Sequence, residues 1–266
     1  MPYVKRNKKG GKSGRPYARR SRKASAKGNF RRKVLDVMRS VVETKQAFHQ
    51  NALTNFNSGI SGSGDCLQVI PSIASGTLDN QRVGDQIRPQ SLSIRGIINM
   101  VPQDPTQSLG VRRIGVRVMI VSVKAYPTYA VAAANTATWM PGLLKKGGTT
   151  TSFAGALDDL YAPINTDLIT CHYNKVFFLN QAMYYAGTTN VSTTYESGGM
   201  TRFFKKTFKF KNKVWKYDSS VSGGLSPTNA GHCLLLGYCF LDGSGADVVT
   251  TRVSSQTDMI LNYEDA

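Results

Sequence analysis

Fourteen of the first 33 residues are lysine or arginine, and none is acidic. Lys5, Arg6, Lys8, Lys9, Lys12, Arg15, Arg19, Arg20, Arg22, Lys23, Lys27, Arg31, Arg32 and Lys33 are interleaved with Tyr3, Tyr17 and Phe30. Cations pair with phosphates and rings stack on bases, a combination that suits a sequence-tolerant binder of single-stranded nucleic acid. A membrane surface is the other polyanion such a run could meet, but the run has no apolar helical face to sink into lipid. Arg19-Arg20-Ser21-Arg22-Lys23 and Arg31-Arg32-Lys33 also read as a bipartite nuclear-import signal. A second basic run, from Lys205 to Lys213, alternates like a strand. It sets Lys205, Lys209, Lys211 and Lys213 on one face, and Phe204, Phe208 and Phe210 on the other, which belongs in the core. The lysine row would either meet nucleic acid or guard an exposed sheet edge.

Other reactive residue types do not assemble into a catalytic pattern. Gly11-Lys12-Ser13 matches the end of a phosphate-binding loop, but Arg6 stands where that loop needs its first glycine. Cys171-His172 and His232-Cys233 together invite a zinc site. Neighbours on a strand point to opposite faces, so each pair offers at most one ligand unless a bulge intervenes. Asp158, Asp159 and Asp167 suit a hard cation such as calcium, yet without spaced-ligand periodicity they read as loop-capping acids. No cofactor, metal or enzymatic activity is expected. The four cysteines, Cys66, Cys171, Cys233 and Cys239, follow no pairing pattern and are expected as buried, reduced thiols. The sequon Asn190-Val191-Ser192 falls in a Ser/Thr-rich loop and reads as chance.

The elements that must position these groups follow from composition. The chain of 266 residues has a net charge of +18, but the 233 residues after Lys33 carry 20 basic and 16 acidic side chains. A nearly balanced body therefore follows a polycationic arm, residues 1–33, which glycines and self-repulsion should keep mostly disordered. Val34, Val37, Met38, Val41 and Val42 recur at helical spacing, predicting a short amphipathic helix over residues 34–45. From residue 46 to 266 the pattern is β. Strands are predicted at Ala47–Phe56, Ser91–Met100, Arg113–Lys124, Lys175–Asn180, Arg202–Lys211, Lys213–Tyr217, Cys233–Leu241 and Val248–Tyr263. Arg113–Lys124 is apolar on both faces and reads as a central strand. A short helix is expected near Phe153–Leu160, and Tyr126–Ser152 and Gly187–Gly199 as surface loops. Eight strands with little helix favour a sandwich or barrel. Leu234–Leu241 is too short to span a bilayer as a helix, and the start lacks an apolar leader core, so no membrane insertion is expected.

Several short motifs resemble a known family. Ile70-Pro71-Ser72-Ile73-Ala74-Ser75-Gly76, Gln81-Arg82-Val83-Gly84-Asp85-Gln86-Ile87 and Leu92-Ser93-Ile94-Arg95-Gly96 are similar to segments of capsid proteins of small circular single-stranded DNA viruses. The pattern is close to that of the subset whose shells are similar to satellite tobacco necrosis virus. Glu43-Thr44-Lys45 matches that pattern's first strand, and Asp159-Leu160-Tyr161-Ala162-Pro163-Ile164-Asn165 continues it. The resemblance implies a single eight-stranded jelly-roll sandwich and a small icosahedral shell of about sixty identical subunits. It also implies a basic arm turned toward a packaged genome, DNA by the flavour of the motifs, in a virion assembled in the host nucleus. A satellite-type single-stranded RNA coat protein has the same architecture, and a cellular basic nucleic-acid-binding β-barrel module is the alternative from another class. The host receptor is not legible. The turn at Arg82-Val83-Gly84-Asp85 predicts that Gly84 adopts a backbone conformation that a β-carbon disfavours.

Overall fold

The computed structural model describes residues 44–100, 113–180, 199–220, 222–243 and 253–265, together with Phe30 and Lys33. The chain divides into two units, Met1–Val42 and Glu43–Ala266. In the first, the described Phe30 and Lys33 are helical and exposed. The other basic arm residues and the apolar positions 34–42 lie outside the described residues. The predicted helix cannot run to residue 45, because Thr44 and Lys45 already belong to a strand.

The second unit is mostly β and antiparallel. Among the described residues it contains eleven strands: β1 (Thr44–Phe56), β2 (Cys66–Gln68), β3 (Gln86–Met100), β4 (Arg113–Val123), β5 (Leu144–Lys146), β6 (Thr149–Thr151), β7 (Ile169–Asn180), β8 (Thr201–Lys209), β9 (Trp215–Lys216), β10 (Cys233–Phe240) and β11 (Val253–Asp265). One sheet has the order β1-β11-β3-β8, with β9 pairing the start of β3; a second has the order β2-β10-β4-β7; β5 and β6 form a hairpin. Gly147 and Gly148 take positive φ at that hairpin's tip, where a two-residue turn demands it.

Leu92, Ile94 and Ile98 of β3 and Met259 and Leu261 of β11 share one core with Val116, Val118 and Ile120 of β4 and Leu234 and Leu236 of β10. Each is almost fully buried, a gain of about 1.5–3 kcal/mol per side chain relative to exposure. A second core lies on the other face of the four-stranded sheet. There Met119, Val121, Leu235 and Cys239 meet Trp139, Leu143, Phe153 and Leu160 from the connection between β4 and β7. Strand β4 is thus covered on both sides, as its apolar run predicts. The five-stranded sheet is covered by the described residues on one face only, which is why β3 alternates between buried and less buried residues.

Several boundaries differ from the sequence expectations, each for a local reason. Strand β3 begins at Gln86, five residues before the expected Ser91, because Pro89 sits where the β11 register shifts and no ladder N–H is required of it. Strand β7 starts at Ile169, since its outer end is polar and reads as loop. Phe153–Leu160 is not a helix but an extended segment ending in a 3-10 turn, Leu157–Leu160. Helices α1 (Tyr129–Ala134) and α2 (Thr136–Trp139) occupy a stretch read as loop. They are too short for periodicity to register: Thr128 Oγ1 caps Val131 N at 3.2 Å, Trp139 Nε1 donates to Ala132 O at 2.8 Å, and Ala132 and Trp139 are buried in the second core. Lys213–Tyr217 shrinks to the two-residue β9. Residues 248–252 of the last predicted strand lie outside the described residues. None of the described helices is long and apolar enough to cross a membrane.

Gly84 corrects the expectation made for it: it is not among the positive-φ glycines, and an added β-carbon would meet open space. Arg82 holds that turn instead. Its buried guanidinium donates to Gly84 O, to Gly224 O at 3.0 Å and to Asp85 Oδ1 at 3.2 Å, and lies 4.6 Å from the Tyr217 ring centroid. The glycine that steric contact does require in these motifs is Gly96, where a β-carbon would overlap the Phe204 ring.

Candidate nucleic-acid interface

The uncovered face of the five-stranded sheet displays side chains in ranks set by register. Across β11, β3 and β8 these are Gln256–Ile97–Phe203, Asp258–Arg95–Lys205, Ile260–Ser93–Thr207 and Asn262–Ser91–Lys209. Beyond β11, Gln50, Phe48 and Gln46 extend the last three ranks. Phe203 is 71% exposed and Phe48 64%, unusual for rings on a strand. Among the described residues neither Arg95 nor Lys205 is engaged in an ion pair, although Asp258 stands directly across from Arg95.

The predicted lysine row is realised in part. Lys205 and Lys209 are exposed on the uncovered face, while Phe204 is buried and Phe208 and Phe210 pack against the core, as alternation requires. Lys206, on the core side, places its ammonium 5.6 Å from the Phe208 ring. The row does not reach Lys211 and Lys213. Strand β8 ends at Lys209, and Asn212 at φ 55° breaks the alternation between them. Burial lowers the proton affinities of His172 and His232, and the charge of Lys213 adds to that effect. The chain joins this sheet at Thr44, in one rank with Glu264 and Arg88, and Arg88, Lys211 and Lys216 are exposed at that end. Lys45 there is committed to Asp265 at 2.9 Å and to Gln81 O at 3.0 Å.

The two Cys-His dyads meet through their histidine rings, though not as ligands. The register between β4 and β7 slips at His172, supplying the bulge that zinc binding would need. The His172 and His232 rings then stack with centroids 4.6 Å apart and planes inclined by 26°. Ring-nitrogen lone pairs lie in the ring planes, so nearly parallel planes this far apart cannot converge on one ion about 2.0 Å from each nitrogen. His172 Nε2 hydrogen-bonds Ser122 Oγ at 2.8 Å. Burial, the neighbouring His172 and Lys213 push His232 down to about 3, and burial also lowers His172. Cys66 and Cys233 hydrogen-bond each other, and that bond plus burial raises the Cys66 thiol; burial pushes Cys239 up to about 11. Protonated thiols of this kind are poor nucleophiles.

The acidic trio is occupied by lysines and backbone. Asp159, fully buried, accepts from Ala154 N at 2.8 Å and Ala156 N at 2.9 Å and pairs with Lys146, which also meets Asp158 at 2.9 Å. Asp167 pairs with Lys145. The lysine hydrogen bonds hold Asp158 and Asp167 below the usual carboxylate range. Above this loop the buried Arg117 donates to Asp159 O at 2.6 Å, Ala162 O at 2.9 Å and Asn174 Oδ1 at 2.9 Å.

No family model and no curated protein matches the sequence. The sequence pattern alone does not single out Arg95, Phe203 and Gln256 as interface residues. Alternation does place Arg95 opposite the Leu92/Ile94 face, and one of the adjacent Phe203 and Phe204 must point outward. Which strand lies beside which is a long-range fact that alternation does not contain.

Proposed function

We propose that this protein is the coat protein of a small single-stranded DNA virus. In this reading it is a structural subunit without enzymatic activity that self-assembles into an icosahedral shell and packages the genome through its basic arm. Eight strands remain once the two-residue β9 and the β5–β6 hairpin are set aside. They fall into two four-stranded sheets, β1-β11-β3-β8 and β2-β10-β4-β7. The first strand pairs with the last and the second with the next to last, a nested order that supports reading the body as an eight-stranded jelly roll built from two Greek keys. The observation that carries the reading is this strand order joined to a 33-residue, acid-free arm. In a closed shell of about sixty copies the arms supply on the order of 800 positive charges, enough to offset much of a genome of a few thousand phosphates. The arm's basic clusters then double as the signal that brings the subunit to the host nucleus before assembly into virions.

Size tests this directly. Sixty subunits of 29.0 kDa form a particle of about 1.7 MDa. Purified full-length protein should elute at that mass with co-purifying nucleic acid and show uniform spheres by electron microscopy. A stable monomer or dimer under assembly conditions would instead favour a cellular nucleic-acid-binding module. Nuclease sensitivity of the contents distinguishes DNA from RNA.

A further inference from the structure

The uncovered sheet face carries an open cavity of about 430 Å³, lined on that face by Arg95, Ile97, Phe203, Lys205, Gln256 and Asp258. Its volume falls in the range of about 300–1,000 Å³ common for small-ligand sites. Resting on the packaging function above, we propose that this cavity binds one nucleotide of single-stranded nucleic acid, the base stacked on Phe203 and the phosphate held between Arg95 and Lys205.

The cavity spans two neighbouring ranks of opposite character. One is apolar in its middle and aromatic at its end, Gln256–Ile97–Phe203; the next is charged, Asp258–Arg95–Lys205. Neighbouring ranks on one face are about 6.8 Å apart along the strands, a step that a single nucleotide bridges from phosphate to base. Phe203 offers its ring to solvent while its neighbour Phe204 is buried, so the ring has a free face at which a base could stack. Arg95 and Lys205 are cross-strand partners, and no described carboxylate forms an ion pair with either; two such cations facing water favour an anion between them. Asp258 repels a phosphate from the β11 end of the charged rank and so directs it toward β8. Gln256, at the far end of the aromatic rank, can both donate to and accept from a base edge, which tolerates any base. The chain enters the same sheet at Thr44.

The test is a fluorescent reporter in the full-length protein. The native Trp139 and Trp215 are buried, so Phe203→Trp adds the one surface tryptophan among the described residues. A short oligothymidylate should quench its emission saturably. Inorganic polyphosphate, which satisfies the arm but has no bases, should bind without quenching. Adding Lys205→Ser or Arg95→Ser should raise the half-quenching concentration about fivefold. Absence of quenching, while a labelled oligothymidylate still binds by anisotropy, would overturn the pocket and leave the arm's role intact. Equal quenching by polyphosphate would overturn it too, because stacking would not be the cause. Loss of binding by both readouts would overturn the packaging function itself.

Discussion

Strand β10 buries all eight of its residues, whereas β8 buries one of nine, Phe204. Both strands are rich in large apolar side chains, and the difference lies in what covers the second face. The four-stranded sheet lies between the other sheet and the β4–β7 connection, so its inner strands β4 and β10 are almost wholly buried, while its edge strand β7 keeps exposed residues. The five-stranded sheet has one face without cover among the described residues, and there lysine, arginine and exposed phenylalanine are tolerated. Burial is concentrated in the four-stranded sheet, and exposed charged and aromatic side chains in the five-stranded one.

The sharpest way to break that contrast is to attack the covered sheet. Arg117→Leu removes three hydrogen bonds and strands the carbonyls of Asp159 and Ala162, both satisfied from one buried guanidinium. A loss of about 3–5 kcal/mol is expected from urea unfolding, enough to abolish assembly. Gly237→Val ranks next, since a β-carbon there would stand 2.6 Å from the Phe153 ring. It should cost about 1–3 kcal/mol by the same measurement.

Acid provides a third lever, graded with pH. His172 and His232 both have folded-state values below the ordinary 6.5, so the unfolded chain binds more protons between that value and the folded one. Their contribution is full above about pH 6.5 and drains as the pH falls, for His232 toward about 3. The slope is at most about 1.4 kcal/mol per pH unit from His232. Urea midpoints measured from pH 7 to pH 4 should decline, and His232→Phe, which keeps an aromatic ring in the stack, should flatten the decline.

Substitution on the uncovered face should affect stability least. Lys205→Ser with Lys209→Ser is expected to change it by no more than about 0.5 kcal/mol. The same pair should weaken single-strand binding and lower the salt slope by about 1.4, at roughly 0.7 for each phosphate no longer neutralised. A double variant that unfolds readily would show that these lysines support the sheet edge instead.

How far the sequence discloses this arrangement depends on the range of the interaction. Strand β4 is legible because an apolar run on both faces states its own burial, and Phe204, Phe208 and Phe210 because alternation states which side faces inward. The charge boundary at residue 33 is equally local. The bulge at His172, the role of Arg82 in place of Gly84, and the rank that joins Arg95 to Lys205 all depend on which strands are neighbours. That pairing links residues far apart along the chain, and no local period encodes it. The short helices near Trp139 fail for the opposite reason: they hold their shape through packing against other parts of the fold rather than through propensity.

The most direct measurement compares single-strand binding by the full chain and by a chain lacking residues 1–33, across a salt series. The deletion removes 14 of 34 basic side chains and lowers the net charge from +18 to +4. If the arm gathers the genome, affinity should fall steeply with salt for the full chain, and the slope of log affinity against log salt should drop by about 10 on truncation. Equal affinity and equal slope in the two proteins would contradict the account and leave the uncovered sheet face as the whole of the interface.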